Sequence, residues 1–107
     1  MAIREIHEQL VAKEVSATEL VGTYLKRIEE REEHIHAFLS VDKDAAFVQA
    51  KAVDAAIANK ENIGTLAGIP CAVKDAILVE GMPCTAASKA LEHYVAPYEA
   101  TCVRKLR

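Results

Sequence analysis

Between Leu66 and Lys89 the chain reads LAGIPCAVKDAILVEGMPCTAASK, and this stretch limits the possible folds more than any other. Gly68 and Pro70 bracket a turn, and an apolar run, Cys71-Ala72-Val73, follows. Lys74 and Asp75 interrupt it before a second run, Ala76 to Val79, which Gly81-Met82-Pro83 closes. Short apolar runs bounded by turn residues read as strands, here near 70–74 and 76–79. Charges set between such runs must reach solvent or be held in a polar site. A lysine after an apolar run commonly ends a strand with its amine in water. The other reading of Lys74 is a desolvated lysine that acts as a general base and activates a serine. Asp75 is adjacent, so on a strand it faces away from Lys74. It reads as a structural hydrogen-bond acceptor rather than a counter-ion.

Upstream, the pattern is helical. Ile3, Ile6 and Leu10 recur at helical spacing, predicting a short amphipathic helix over 2–13. Ser16-Ala17-Thr18-Glu19 is a capping-box pattern opening a second helix over about 17–33. Leu20, Val21, Tyr24, Leu25 and Ile28 form its apolar stripe. The run Glu29 to Glu33, four glutamates around Arg31, reads as a solvated helix end. Its charge opposes the helix dipole, so the helix should fray or stop near residue 33. Ile35, Ala37, Leu39 and Val41 alternate with His36, Phe38 and Ser40, which suggests a short extended segment. Asp42 or Asp44 then caps an alanine-rich helix over about 44–59, with Phe47, Val48, Val53 and Ile57 on its core face. After the central stretch, the small residues from Thr85 to Ser88 permit close backbone approach or start a helix. Glu99-Ala100-Thr101 opens a last helix containing Val103 and Leu106.

Composition narrows the classes. Hydrophobic residues make up 51% of 107, which argues against disorder and allows one small domain. A net charge of -3 and 5% aromatic residues leave no general basic or base-stacking surface for nucleic acid. No apolar run reaches the roughly 18–20 residues of a membrane span, and MAIREIHEQL lacks the apolar centre of a signal peptide. Cys71, Cys84 and Cys102 form no C-x-x-C pair and read as free thiols in a reducing, cytoplasmic setting. His34 and His36 would point about 200° apart on a helix, so no metal pair forms there. Both, with His7 and His93, read as solvated surface histidines.

Leu66-Ala67-Gly68-Ile69-Pro70-Cys71-Ala72-Val73-Lys74-Asp75 resembles the lysine motif of the amidase signature family. Val15 to Val21, His36 to Val41, Ala50 to Asp54, Ala87 to Leu91 and Ala96 to Val103 are also similar to family segments. These flanks favour the tRNA-dependent amidotransferase branch, in particular its A subunits. The resemblance implies an α/β fold. Residues 1–107 would be the N-terminal part of one amidase signature domain: its N-terminal helices and the first strands of a mixed central sheet in an α/β/α arrangement, truncated. It implies that Lys74 is the base of a Ser–cis-Ser–Lys triad that hydrolyses glutamine to supply ammonia for converting Glu-tRNA(Gln) to Gln-tRNA(Gln). The implied partners are the B and C subunits of the amidotransferase, with tRNA reached indirectly through the B subunit. No cofactor is expected in this chain; ATP and Mg would be used by the partner subunit.

Three departures qualify that expectation. The family's Gly/Ser-rich segment with both serines lies downstream, so the chain alone should be inactive, and Ser88 takes no nucleophilic role. Ala76 stands where the family commonly has Asn, and Thr65 where it commonly has Pro. Another amidohydrolase of the family, or a non-catalytic truncated paralogue that binds partner subunits, are the competing readings.

Overall fold

A computed structural model describes residues 2–107. Among the described residues four α-helices run in order: α1 Ile3–Val11, α2 Ala17–Ile35, α3 Lys43–Ala58 and α4 Thr101–Leu106, with a single 3-10 turn at Lys89–Leu91. The chain divides into two compact units, 1–70 and 71–107.

The first unit is a helical layer. Leu10 of α1, Ala17, Leu20 and Val21 of α2, and Ala50 of α3 are buried together with Ile6. Val15, Leu25, Phe47, Val53, Ile57 and Ile69 pack against them. Glu29, late in α2, pairs with Lys43 at the start of α3. Asp54, late in α3, binds the first residues of α2. The two helices therefore run antiparallel. The small Ala17 and Ala50 let them come close, as the alanine content of α3 suggests.

The start of α2 satisfies every backbone donor that a helix N-terminus leaves orphaned. Ser16 Oγ accepts from the Glu19 N–H at 3.0 Å, and the Glu19 carboxylate accepts the Ser16 N–H at 2.9 Å. This is the expected capping box. The remaining two donors turn to α3. Asp54 accepts the Ala17 N–H at 2.7 Å, the Thr18 N–H at 3.1 Å and the Thr18 hydroxyl at 2.6 Å. Burial pushes the Asp54 carboxyl up, but the Thr18 hydroxyl and the two N–H groups outweigh it and hold it below the usual range.

Several boundaries differ from the sequence expectation. Helix α1 is shorter than 2–13, and α2 runs to Ile35, where His36 adopts a left-handed cap with φ 51°. The acidic run does not fray because two of its carboxylates are used. Glu29 takes Lys43, and Glu32 accepts the Phe38 N–H at 2.7 Å, tying down the following loop. Residues 36–42 form that loop, and no strand lies among the described residues of this unit. Asp42, not Asp44, caps α3, accepting from Ala45 N–H at 2.9 Å. Val48 is 67% exposed, because one residue beyond Phe47 the helix has already turned away from the core. His7 is half-buried rather than solvated, whereas His34, His36 and His93 are exposed.

After α3 the chain returns across the helices. Gly68 sits at φ 78°, and a Cβ there would lie 3.1 Å from the Ala17 Cβ, 3.2 Å from Leu10 and 3.2 Å from Val53. The backbone at Gly68 is thus seated on a surface supplied by all three helices, in a conformation that also favours glycine.

The second unit holds the larger correction. The strands expected near 70–74 and 76–79 are absent, and the described residues form no sheet of the α/β expectation. An extended run needs a partner to take its N–H and C=O groups, and none of the described residues supplies a ladder. The backbone instead turns at Lys74, whose C=O accepts the Ile77 N–H at 2.9 Å. The nearest approach to a sheet is one antiparallel bridge, Pro83 to Val95. It is flanked by Gly81 N–H to Ala96 C=O at 2.9 Å, Ala96 N–H to Met82 C=O at 3.0 Å and Cys84 N–H to Tyr94 C=O at 3.1 Å. Cys84, Ala96 and Val103 are the buried residues of this small unit.

Two outcomes test the helical unit. Gly68→Ala should lower stability by about 1–3 kcal/mol, from overpacking plus an unfavourable φ, measured by urea unfolding. Asp54→Ala should cost about 1–2 kcal/mol, as for a lost cap. The Asp54 carboxyl is depressed in the folded state. Its stabilisation is therefore complete above about pH 4, the ordinary carboxylate range, and is lost as pH falls through the lower folded value. Thermal melts between pH 5 and pH 2 should show a smaller acid loss in Asp54→Ala than in the parent.

Candidate functional site

Lys74 is exposed and lies at the first position of the Lys74–Ile77 turn. Its backbone is carried by a turn and by its neighbour Asp75, with no strand beneath it. Asp75 is the most heavily used acceptor in this unit. Its carboxylate accepts the Thr85 N–H at 2.9 Å and the Thr85 hydroxyl. Its backbone C=O accepts the Ala86 N–H at 3.0 Å and the Cys84 thiol at 3.3 Å. Side chain and main chain of one residue thus hold the segment 84–86. The Thr85 hydroxyl foremost, then the Thr85 N–H, keep the Asp75 carboxyl below the usual range, against a smaller opposing effect of desolvation. The expectation that Asp75 is a structural acceptor and not the counter-ion of Lys74 agrees with this geometry.

The segment held by Asp75 is strained. Ala86 and Ala87 both take left-handed backbones, with φ 47° and 57°. Each costs roughly 1 kcal/mol or more in a residue with a Cβ. The Ala87 N–H is satisfied by Thr85 Oγ1 at 3.3 Å. Ser88 then accepts the Ala90 N–H at 3.3 Å and starts the 3-10 turn, a local capping role. Thr85, Ala87, Ser88, Lys89 and Glu92 line a depression open to solvent.

Sequence reasoning named Lys74 and Asp75 but passed over Thr85, reading residues 85–88 only as small. The available signal was a threonine shortly beyond a charged pair, at the head of the run of small residues that follows it. Cys71, Cys84 and Cys102 are free thiols, Cys84 buried and the others exposed. Among the described residues, no group of three or more His, Cys, Asp or Glu side chains is placed to hold a metal ion. No helix among them is long and apolar enough to cross a membrane.

The chain matches the Amidase family over residues 19–107, a span that includes both Lys74 and Thr85. It is similar to proteins named as the A subunit of glutamyl-tRNA(Gln) amidotransferase. The one from Nostoc punctiforme is 51% identical over 105 residues, covering 98% of this chain and 22% of the relative. Those from Gloeothece citriformis and Thermosynechococcus vestitus are 49% and 50% identical over 106 and 105 residues, again 22% of each relative. The chain therefore spans about a fifth of the length of the curated relatives it matches. It belongs to the Amidase family.

Because Ala86 bears a Cβ in a left-handed conformation, Ala86→Gly should raise stability by about 0.5–1 kcal/mol. Chemical unfolding followed by circular dichroism measures this; a loss of stability would show that the alanine is not strained.

Proposed function

We propose that this chain is the lysine-bearing part of the A subunit of a glutamine-hydrolysing amidotransferase, and that Lys74 is its general base. The observation that carries the reading is identity near 50% to proteins of that name, across a span of 98% of the chain that contains the Lys74-Asp75 pair. The exposed turn at Lys74, held from Asp75, supports it by presenting an amine that is not committed to a surface ion pair with its neighbour.

In this reading Lys74 Nζ accepts a proton from a bridging serine, which in turn takes the proton of a nucleophilic serine. That serine attacks the carboxamide carbon of glutamine. An acyl-enzyme forms, ammonia leaves with the transferred proton, and water releases glutamate. Backbone N–H groups stabilise the charge that develops on the carbonyl oxygen. Both serines belong to the Gly/Ser-rich segment of the longer family chain. A lysine serves as a base where burial disfavours its charged form, so residues outside these 107 would cover Lys74. The same longer chain would supply the strands of the mixed sheet of an α/β/α domain, of which 1–107 is the N-terminal part. Ammonia would pass to the B subunit, which uses ATP and Mg to activate glutamate on tRNA, with the C subunit holding the assembly together in the cytoplasm.

A chimera tests the proposal. This chain replaces the matching 105 residues of the Nostoc punctiforme relative, assembled with its partner subunits, and ammonia release from glutamine is measured. Turnover should survive the replacement and fall by at least about 1,000-fold in Lys74→Ala, as for loss of a member of a catalytic triad. Turnover unchanged by Lys74→Ala would sink the reading.

A further inference from the structure

We propose that Asp75, acting through Thr85, is a positioning residue for Lys74. This inference rests on the role proposed for Lys74 and adds to it the group that fixes where the amine is delivered.

A lysine on a strand is aimed by the ladder on either side of it. Among the described residues Lys74 has no ladder, only the Lys74–Ile77 turn. A turn with one backbone hydrogen bond leaves its first residue loosely aimed. The residue that follows Lys74 is nonetheless fixed, because Asp75 accepts from three consecutive residues, Cys84, Thr85 and Ala86, by way of both its carboxylate and its C=O. Side chain and main chain of Asp75 are thereby held in one orientation, while the peptide plane shared with Lys74 is held at its own C=O by the Ile77 N–H.

The strain on the other side of the contact supports the same assignment. Two successive left-handed alanines are an unfavourable way to run a loop. Their conformation places the Ala86 N–H on the Asp75 C=O and the Ala87 N–H on the Thr85 hydroxyl oxygen. The Thr85 hydroxyl thus donates to Asp75 and accepts from Ala87. It is the hinge pin of the arrangement. The charge of Asp75 is engaged by these donors. Its role is geometric rather than a field acting on Lys74.

Two measurements test this, one on the chain itself and one on the chimera. In the chain, Asp75→Asn and Thr85→Val should raise amide exchange at Ile77 and at Thr85 to Ala87 by at least about tenfold, as local opening becomes easier. The Ala17 and Thr18 amides serve as the internal reference and should not change. Thr85→Ser, which keeps the hydroxyl, should restore protection. In the chimera, Asp75→Asn and Thr85→Val should lower kcat about 100-fold, the loss expected for a misplaced catalytic group. KM should stay within about twofold, and Thr85→Ser should recover kcat to within a few-fold. Parent-like exchange in Asp75→Asn, or a kcat loss that Thr85→Ser fails to recover, would overturn the assignment. If Lys74→Ala leaves turnover intact, the reading of Lys74 as base fails, and the exchange data alone then decide whether Asp75 orients that turn.

Discussion

One carboxylate joins the two long helices of the first unit. Asp54 reaches from the last turns of α3 to the first turn of α2 and accepts three hydrogen bonds there. A helix N-terminus carries both unpaired donors and a partial positive charge, so a carboxylate is the natural occupant. The local capping box leaves the Ala17 and Thr18 donors open, and Asp54 takes them. Beside this contact lies Ala17, fully buried. Ala17 in turn is one wall of the seat for Gly68. Displacing Asp54 would loosen the start of α2 and with it the surface on which the returning chain rests.

The second unit solves a related problem with a related device. Its backbone lacks a sheet, and a single aspartate gathers the loose donors of the segment opposite. In both units an acidic side chain takes a pair of contacts from a threonine, one from its N–H and one from its hydroxyl: Asp54 with Thr18, Asp75 with Thr85. Such a bidentate contact fixes direction as well as distance. It gives irregular backbone an orientation that hydrophobic burial, being non-directional, does not provide.

What could be read from the sequence follows the range of each interaction. The Ser16–Glu19 box and the Asp42 cap act within three residues; the box formed as expected, and of the two candidate aspartates it is Asp42 that caps α3. Leu10, Leu20 and Val21 follow from periodicity and are buried. Asp54 was hidden because its partners are far along the chain, and an aspartate in an alanine-rich helix has no local signature of that role. The two apolar runs around Lys74 have the composition of strands, yet a strand exists only with a partner. Phe47 and Val48 do not share the core face, because neighbours on a helix are about 100° apart. At the candidate site, the motif pointed to Lys74 and Asp75. Thr85, ten residues beyond Asp75, emerged only from the geometry.

The Asp54 contact also bears on when the fold can form. Its partners lie 36 and 37 residues earlier in the chain. On a ribosome, where the chain emerges from its N-terminus, α2 exists for a time with the Ala17 and Thr18 donors facing water alone. Only when the last turns of α3 have emerged does the carboxylate arrive. Leu10, Ala17 and Val53 must then be in place before Gly68 can be seated against them. Assembly of the helical unit is therefore ordered in time by the same two residues that hold it in space.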